Sequence, residues 1–345
     1  MIAAVLHAFN EPLEIAELFS PVLQVGQVEV AVKAAGICGA QLGEITGAKG
    51  SDPYLPHLLG HEGAGVVVGI GEGVSSVSPG DHVVLHWRKG AGIEAPAPKF
   101  IRPSGGRVGA GPVSTWAQRA VVSENRCTKI DKDVPFDLAA LLGCAVTTGL
   151  GLVNNEAALR PGQSILVFGV GGVGLNVVQG AAMVTAHPIV AVDVCPKKLG
   201  LAKEFGADFL LLSKDLDDSN LLSITLGGKG YDVVVDCTGN PAVIEAGFSL
   251  LRTGGKLILV GQPSHDSSLV LKNFRKHYCG KTMLDCQGGL TNPGEDIPRY
   301  LSLWRAGLLS LEPLITNFYH LREINRALQD IQEGKVVGRC ILTMD

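Results

Sequence analysis

The run Gly169-Val170-Gly171-Gly172-Val173-Gly174 limits what this chain can fold into more than any other stretch. It follows the apolar segment Ser164–Phe168 and opens Gly172–Ala186, a segment rich in small and apolar residues. A strand that turns into a helix through such a run uses its glycines for a tight turn, for close approach of backbone to a pyrophosphate, and for close helix–strand packing. The helix N-terminus then offers unpaired N–H groups and the positive end of its dipole to phosphate. Pro188–Val192 reads as the next strand and ends at Asp193, about 20 residues beyond the glycines, where an acid accepts from a ribose 2′-hydroxyl. A carboxylate there repels a 2′-phosphate, so NAD is expected over NADP. Gly169, Gly171, Gly172, Val173, Gly174 and Asp193 are the cofactor-binding residues this pattern predicts. A methyl-donor cofactor, which also uses glycine-rich first turns, is the nearest competing occupant.

From about residue 146 the chain alternates apolar strands with helical segments. Lys197–Phe205 is the next helix, and Asp232–Asp236 and Lys256–Val260 are further buried-strand candidates. This rhythm predicts a parallel sheet covered by helices. Before residue 145 the pattern is β-rich: Val28–Val32, Gly65–Val68, His82–Leu85 and Arg119–Val122 are short apolar runs bounded by Gly, Pro, Ser and Asp. From about residue 288 shorter mixed elements return, with an amphipathic helix at Leu321–Gln332.

At 345 residues the chain is too long for one small core. Hydrophobic residues at 46% against 18% charged fit well-buried sheets rather than disorder. A formal charge of −4 gives no reason to expect a nucleic-acid partner or an anionic membrane surface. No apolar run reaches the roughly 18 residues of a membrane span, and Met1–Phe19 reads as strands without the basic start of a signal peptide. The cytoplasm is the expected compartment. Eight cysteines are scattered without disulfide spacing, and six of them are expected to be small buried hydrophobes.

Three segments carry a family resemblance. Gly60-His61-Glu62-Gly63-Ala64-Gly65, continuing through Gly71 to Val74, resembles the zinc signature of medium-chain, zinc-dependent alcohol dehydrogenases position by position. Gly36-Ile37-Cys38-Gly39 resembles that family's first ligand segment, and Leu142-Gly143-Cys144 with Thr147-Thr148-Gly149 resembles its third. Pro79-Gly80-Asp81, the glycine turn and Gly338-Arg339-Cys340-Ile341 extend the match over essentially the whole chain. The resemblance implies an α/β protein with a GroES-like β-rich catalytic domain at 1–145, a Rossmann doubly wound parallel-sheet cofactor domain at 146–287, and a return to the catalytic domain at 288–345. It implies an active cleft between the domains, and an NAD-linked exchange of hydride between a small-molecule alcohol and its carbonyl. Cys38, His61 and Cys144 become the ligands of one catalytic zinc, with Glu62 beside it as a catalytic residue. Two thiolates and an imidazole suit Zn²⁺ and leave a fourth position open. Thr148 is placed near the nicotinamide, Lys198 beside the adenosine ribose, and Arg339 on the pyrophosphate. Relatives form dimers or tetramers through the outer strand of the cofactor domain, so a homodimer or homotetramer through Lys281–Gly289 is expected.

Two departures from the family stand out. Relatives often bind a second, structural zinc through four close cysteines, but Asp81 to Gln118 contains no cysteine, so one zinc per chain is expected. Relatives also carry a hydroxyl, an acid and a histidine for proton relay where this chain has Ala40, Gln41 and Gly43. Gln41 is left to orient His61. Ordered water, a second substrate hydroxyl, Glu44 or His57 are the remaining routes for the proton.

By the same alignment Trp87 and Trp116 line the substrate pocket. The segment 86–107 carries Arg88, Lys89, Lys99, Arg102 and Arg107 against Glu94 alone. It reads as a solvated basic loop, as one that attracts a phosphorylated or acidic substrate, or as one that packs against another subunit. The aromatic pair and this loop favour a polar, ring-bearing secondary alcohol such as a polyol, cyclitol or sugar derivative. Two other classes stay open: a zinc-free quinone or enoyl reductase of the same superfamily, and a non-enzymatic binding protein on this scaffold.

Overall fold

The computed structural model describes residues 1–215, 225–272 and 274–344. The chain divides into two units, Met1–Thr147 with Asn292–Asp345, and Thr148–Thr291.

The first unit is built on two β-sheets. One has five strands in the order Glu14–Glu17, Ile2–Leu6, His57–Leu58, Arg107–Gly109, Lys99–Ile101. The other has seven and runs Cys127–Ile130, His82–His86, Glu62–Ile70, Gln27–Gly36, Arg339–Thr343, Ile315–His320, with Arg119–Ser123 also paired to Gln27–Gly36. Gln27–Gly36 shows why these residues make a strand: Val28, Val30 and Val32 fall on one face and are buried, while Lys33 is exposed. Those valines join Leu6, Val83, Leu85, Trp116 and Leu342 in one core. The C-terminal strand pairs antiparallel with Gln27–Gly36, so the segment from Asn292 returns to this unit.

Among the described residues the second unit has one six-stranded sheet, all parallel, with helices between its strands. Its order is Phe209–Leu212, Ile189–Asp193, Ile165–Phe168, Tyr231–Asp236, Leu251–Leu259, Thr282–Asp285. Read in chain order this is the 3-2-1-4-5-6 arrangement of a dinucleotide-binding sheet. Every residue of Ile165–Phe168 and Ile189–Asp193 is buried, as a sheet covered on both faces requires. Thr282–Asp285 forms one edge of the sheet within this chain.

Several expectations need adjustment. The strand expected from Lys256 begins at Leu251, running through Gly254 and Gly255 with a register shift between Tyr231 and Val233. The helix expected over Leu321–Gln332 is a 3₁₀ turn, Leu321–Glu323, followed by an α-helix, Ile324–Gln332. Of the six cysteines expected to be buried, Cys127 and Cys340 are, whereas Cys195, Cys237, Cys279 and Cys286 are half-buried. Among the described residues no helix is long and apolar enough to cross a membrane.

Candidate active site

Cys38 caps the helix Gly39–Ile45, His61 stands just before the strand Glu62–Ile70, and Cys144 follows the helix Phe136–Leu141. The fold brings their ligand atoms within 4.8 Å of one another. Gly60 makes the approach of His61 possible, with φ at 93° and a position where a Cβ would stand 2.5 Å from Thr115 Oγ1. The Nε2 of His61 is buried without a hydrogen-bond partner. The Cys38 thiol is held well below its ordinary value, chiefly by a hydrogen bond with Cys144 and, against burial, by His61 and Arg339. A thiol drawn toward its thiolate, a second cysteine and an orphaned imidazole nitrogen form a donor set that fits Zn²⁺.

Gln41 ties two of these residues together. Its Oε1 accepts the Cys38 N–H at 3.0 Å, and its Nε2 meets the Nδ1 of His61. It is the third residue of the helix that Cys38 caps and is almost wholly buried, so its side chain folds back as in a capping box. With zinc on Nε2 the Nδ1–H of His61 must donate, and the Gln41 amide accepts it when its oxygen is turned to the ring. A side chain that fixes a ligand's ring in this way sets metal affinity. Gln41→Ala is therefore expected to weaken zinc binding about 10- to 100-fold, measured by competition with a chromophoric chelator.

Glu62 is fully buried, forms an ion pair with Arg339, and accepts the N–H of Ala145, next to Cys144, at 3.2 Å. The guanidinium of Arg339 pairs with Glu62, and the residue is only 5% exposed; its contact with the pyrophosphate stays a proposal.

A cavity of about 540 Å³ opens beside His61, lined by Trp87, Arg88, Lys89, Pro112, Val113 and Arg126. Trp87 lines this cavity together with His61. Trp116 does not line this cavity: it is fully buried in the core and donates its Nε1–H to the Gly36 carbonyl at 3.1 Å. The segment 86–107 is also not one basic loop. Lys99–Ile101 and Arg107–Gly109 pair as an antiparallel hairpin, and Arg102 is held by Glu14, leaving Arg88 and Lys89 at the cavity.

Two residues near the cavity escaped the sequence. Arg126 arrives because Cys127–Ile130 pairs antiparallel with His82–His86, setting Cys127 opposite Leu85. His86 is buried, its pKa pushed down to about 4 mainly by that burial. As a neutral ring it donates from Nδ1 to the Arg88 carbonyl at 2.7 Å and accepts from the Thr128 hydroxyl at 2.9 Å. It thereby fixes the backbone next to Trp87.

In the second unit, Gly169 adopts φ 82°, and a Cβ on Gly174 would lie 2.1 Å from the Gly169 carbonyl oxygen. Gly171 caps the helix Gly172–Met183, and a Cβ there would meet nothing within 4 Å. The open space above a twelve-residue helix N-terminus is a cradle for phosphate. Val173 lies half-buried in the first turn of that helix. Asp193 accepts the N–H groups of Val170 and Cys195, both at 2.9 Å, so it also braces the glycine turn. Lys198 is half-buried in the first turn of the next helix, Pro196–Glu204. Thr148 Oγ1 is buried without a hydrogen-bond partner. These groups fit a bound dinucleotide.

Comparison with known proteins agrees with this geometry. Residues 24–132 match the model of the alcohol dehydrogenase GroES-like domain, and residues 172–304 match that of zinc-binding dehydrogenases. The chain is 32% identical over 370 aligned residues to an S-(hydroxymethyl)glutathione dehydrogenase of Synechocystis sp., covering 98% of each. It is 31% identical to an NDMA-dependent alcohol dehydrogenase of Amycolatopsis methanolica, covering 99% of this chain and 98% of that one. Among solved structures, benzyl alcohol dehydrogenase of Acinetobacter calcoaceticus superposes with a TM-score of 0.89 at 29% identity, covering 100% of this chain and 99% of the other. The chain belongs to the medium-chain, zinc-dependent alcohol dehydrogenases. It is an oxidoreductase acting on a small-molecule alcohol, and its cofactors are zinc and NAD(H).

Proposed function

We propose that Cys38, His61 and Cys144 hold one catalytic zinc per chain, and that the alcohol is a polar one, a polyol, cyclitol or sugar derivative. The observation that carries this reading is the cavity at His61, where Trp87 stands beside Arg88 and Lys89. A flat indole suits the C–H face of a ring, and the cations suit its hydroxyls. Bound zinc supplies a Lewis acid that lowers the pKa of the alcohol, and NAD⁺ supplies the hydride acceptor. Gln41 orients His61, and Glu62 with Arg339 braces the chain at Cys144. Ala40 and Gly43 provide no titratable group for a relay. Glu44 is engaged by Lys49, and His57 by Asp52 at 2.7 Å and the Leu58 carbonyl at 2.9 Å. Neither lines the cavity, so the proton leaves through water or a second substrate hydroxyl.

Screening NAD⁺ reduction across simple alcohols, polyols, cyclitols and amino sugars tests the substrate class. Higher kcat/KM for ring-bearing polyols than for short aliphatic alcohols supports it, and the reverse order overturns it. Asp193 bears on cofactor choice. Asp193→Asn keeps an acceptor for the turn but removes the charge. It is expected to lower kcat/KM for NAD⁺ about 10- to 100-fold while that for NADP⁺ rises, which steady-state kinetics with both cofactors would measure.

The same proposal includes a homodimer or homotetramer through Lys281–Gly289, whose strand Thr282–Asp285 ends the parallel sheet. A single-chain mass by light scattering would remove this part.

A further inference from the structure

We infer that the alcohol carries an anionic group, a carboxylate or a phosphate, received by Arg126, Arg88 and Lys89. This rests on the reading of the His61 cavity as the alcohol pocket. Three cationic side chains line that cavity together with Trp87, Pro112 and Val113. Arg126 is the most informative of them. It is 7% exposed, yet its Nε is buried without a hydrogen-bond partner, and its Nη2 lies 3.5 Å from Glu94. Glu94 also serves Lys89 at 3.4 Å and accepts from Asn125 at 2.8 Å, and its side chain is 42% exposed. One partly solvated carboxylate at these distances leaves the two cations weakly compensated.

The neighbouring acid does not make up the difference. The carboxylate of Glu124 accepts the N–H groups of Ser75, Ser76 and Ile93 at 2.8, 2.8 and 2.9 Å. A guanidinium presents a fork that matches two oxygens of a carboxylate or phosphate, and partial burial strengthens that bond. The Arg88 backbone is fixed in advance by the His86 hydrogen bond, which lowers the cost of ordering this wall when a ligand arrives. With His61 and the cations on one cavity of about 540 Å³, a small molecule spans from the metal ligands to the basic wall across Trp87 and Val113.

The test compares matched probes: myo-inositol with myo-inositol 1-phosphate, and 4-(hydroxymethyl)benzamide with 4-(hydroxymethyl)benzoate. In at least one pair the anionic member is expected to show kcat/KM about tenfold or more above its neutral partner, and the pair preferred separates phosphate from carboxylate. Raising salt from about 0.05 to about 0.5 M should shrink that advantage. Lys89→Gln, at an exposed position, should reduce kcat/KM more for the anionic member than for the neutral one. Arg126→Lys keeps the charge without the fork, and its folding is checked by thermal unfolding. Calorimetric titration of the four probes runs beside the kinetics. If no probe is oxidised but the anions bind and Lys89→Gln weakens them, the basic wall stands and the alcohol-pocket reading falls. If neither anion is bound or oxidised better than its neutral partner, or the advantage is independent of salt, the inference is overturned.

Discussion

Cys38→Ala is expected to strip the protein of zinc and to lower kcat/KM for any alcohol it oxidises by about 10³-fold or more. The variant removes one of the sulfur donors among three groups whose ligand atoms lie within 4.8 Å. It spares the Cys38 backbone N–H, which still bonds to Gln41, so the helix Gly39–Ile45 keeps its start. Loss of zinc with an unchanged circular dichroism spectrum and NAD⁺ affinity is the expected combination. Activity surviving at a tenth of the original without bound zinc would show that the metal is held elsewhere.

Arg339→Ala is expected to cost about 3–5 kcal/mol of unfolding free energy, the cost of leaving a buried charge unpaired. Glu62 is fully buried, and with Arg339 gone its carboxylate keeps the Ala145 N–H but loses its ion-pair partner. The double variant Glu62→Gln with Arg339→Met leaves no buried charge and should recover much of that loss. Urea denaturation of the zinc-loaded proteins measures both. Equal destabilisation by the single and the double variant would show that packing, rather than charge, is what this pair contributes. Since Glu62 abuts the chain at Cys144, the single variant should also release zinc faster to a chelator.

The sequence carried the cofactor unit almost completely, because its signals are local. A glycine turn between a strand and a helix, an acid closing the next strand, and wholly apolar strands each demand one arrangement over a few residues. The proposed metal ligands came through resemblance, since Cys38, His61 and Cys144 are far apart in the chain and no period links them. What remained hidden depends on register. Arg126 meets the cavity only because Cys127 pairs opposite Leu85, a long-range choice without a local trace. Trp116 misled for the converse reason: a tryptophan aligned with a pocket position was turned into the core, where its indole N–H found the Gly36 carbonyl. The basic stretch also looked continuous in sequence, but hairpin pairing and the Glu14–Arg102 contact withdraw most of it from the cavity. The double role of Gln41 did have a signal, an amide three residues after a residue able to cap a helix.

X-ray absorption at the zinc K-edge of the purified, zinc-replete protein reads the metal's neighbours directly. About one zinc per chain is expected, with two sulfur neighbours at about 2.3 Å and an imidazole nitrogen at about 2.0–2.1 Å. A spectrum dominated by four sulfurs, or one with no sulfur neighbour, would contradict the assignment of Cys38, His61 and Cys144 as the catalytic ligand set.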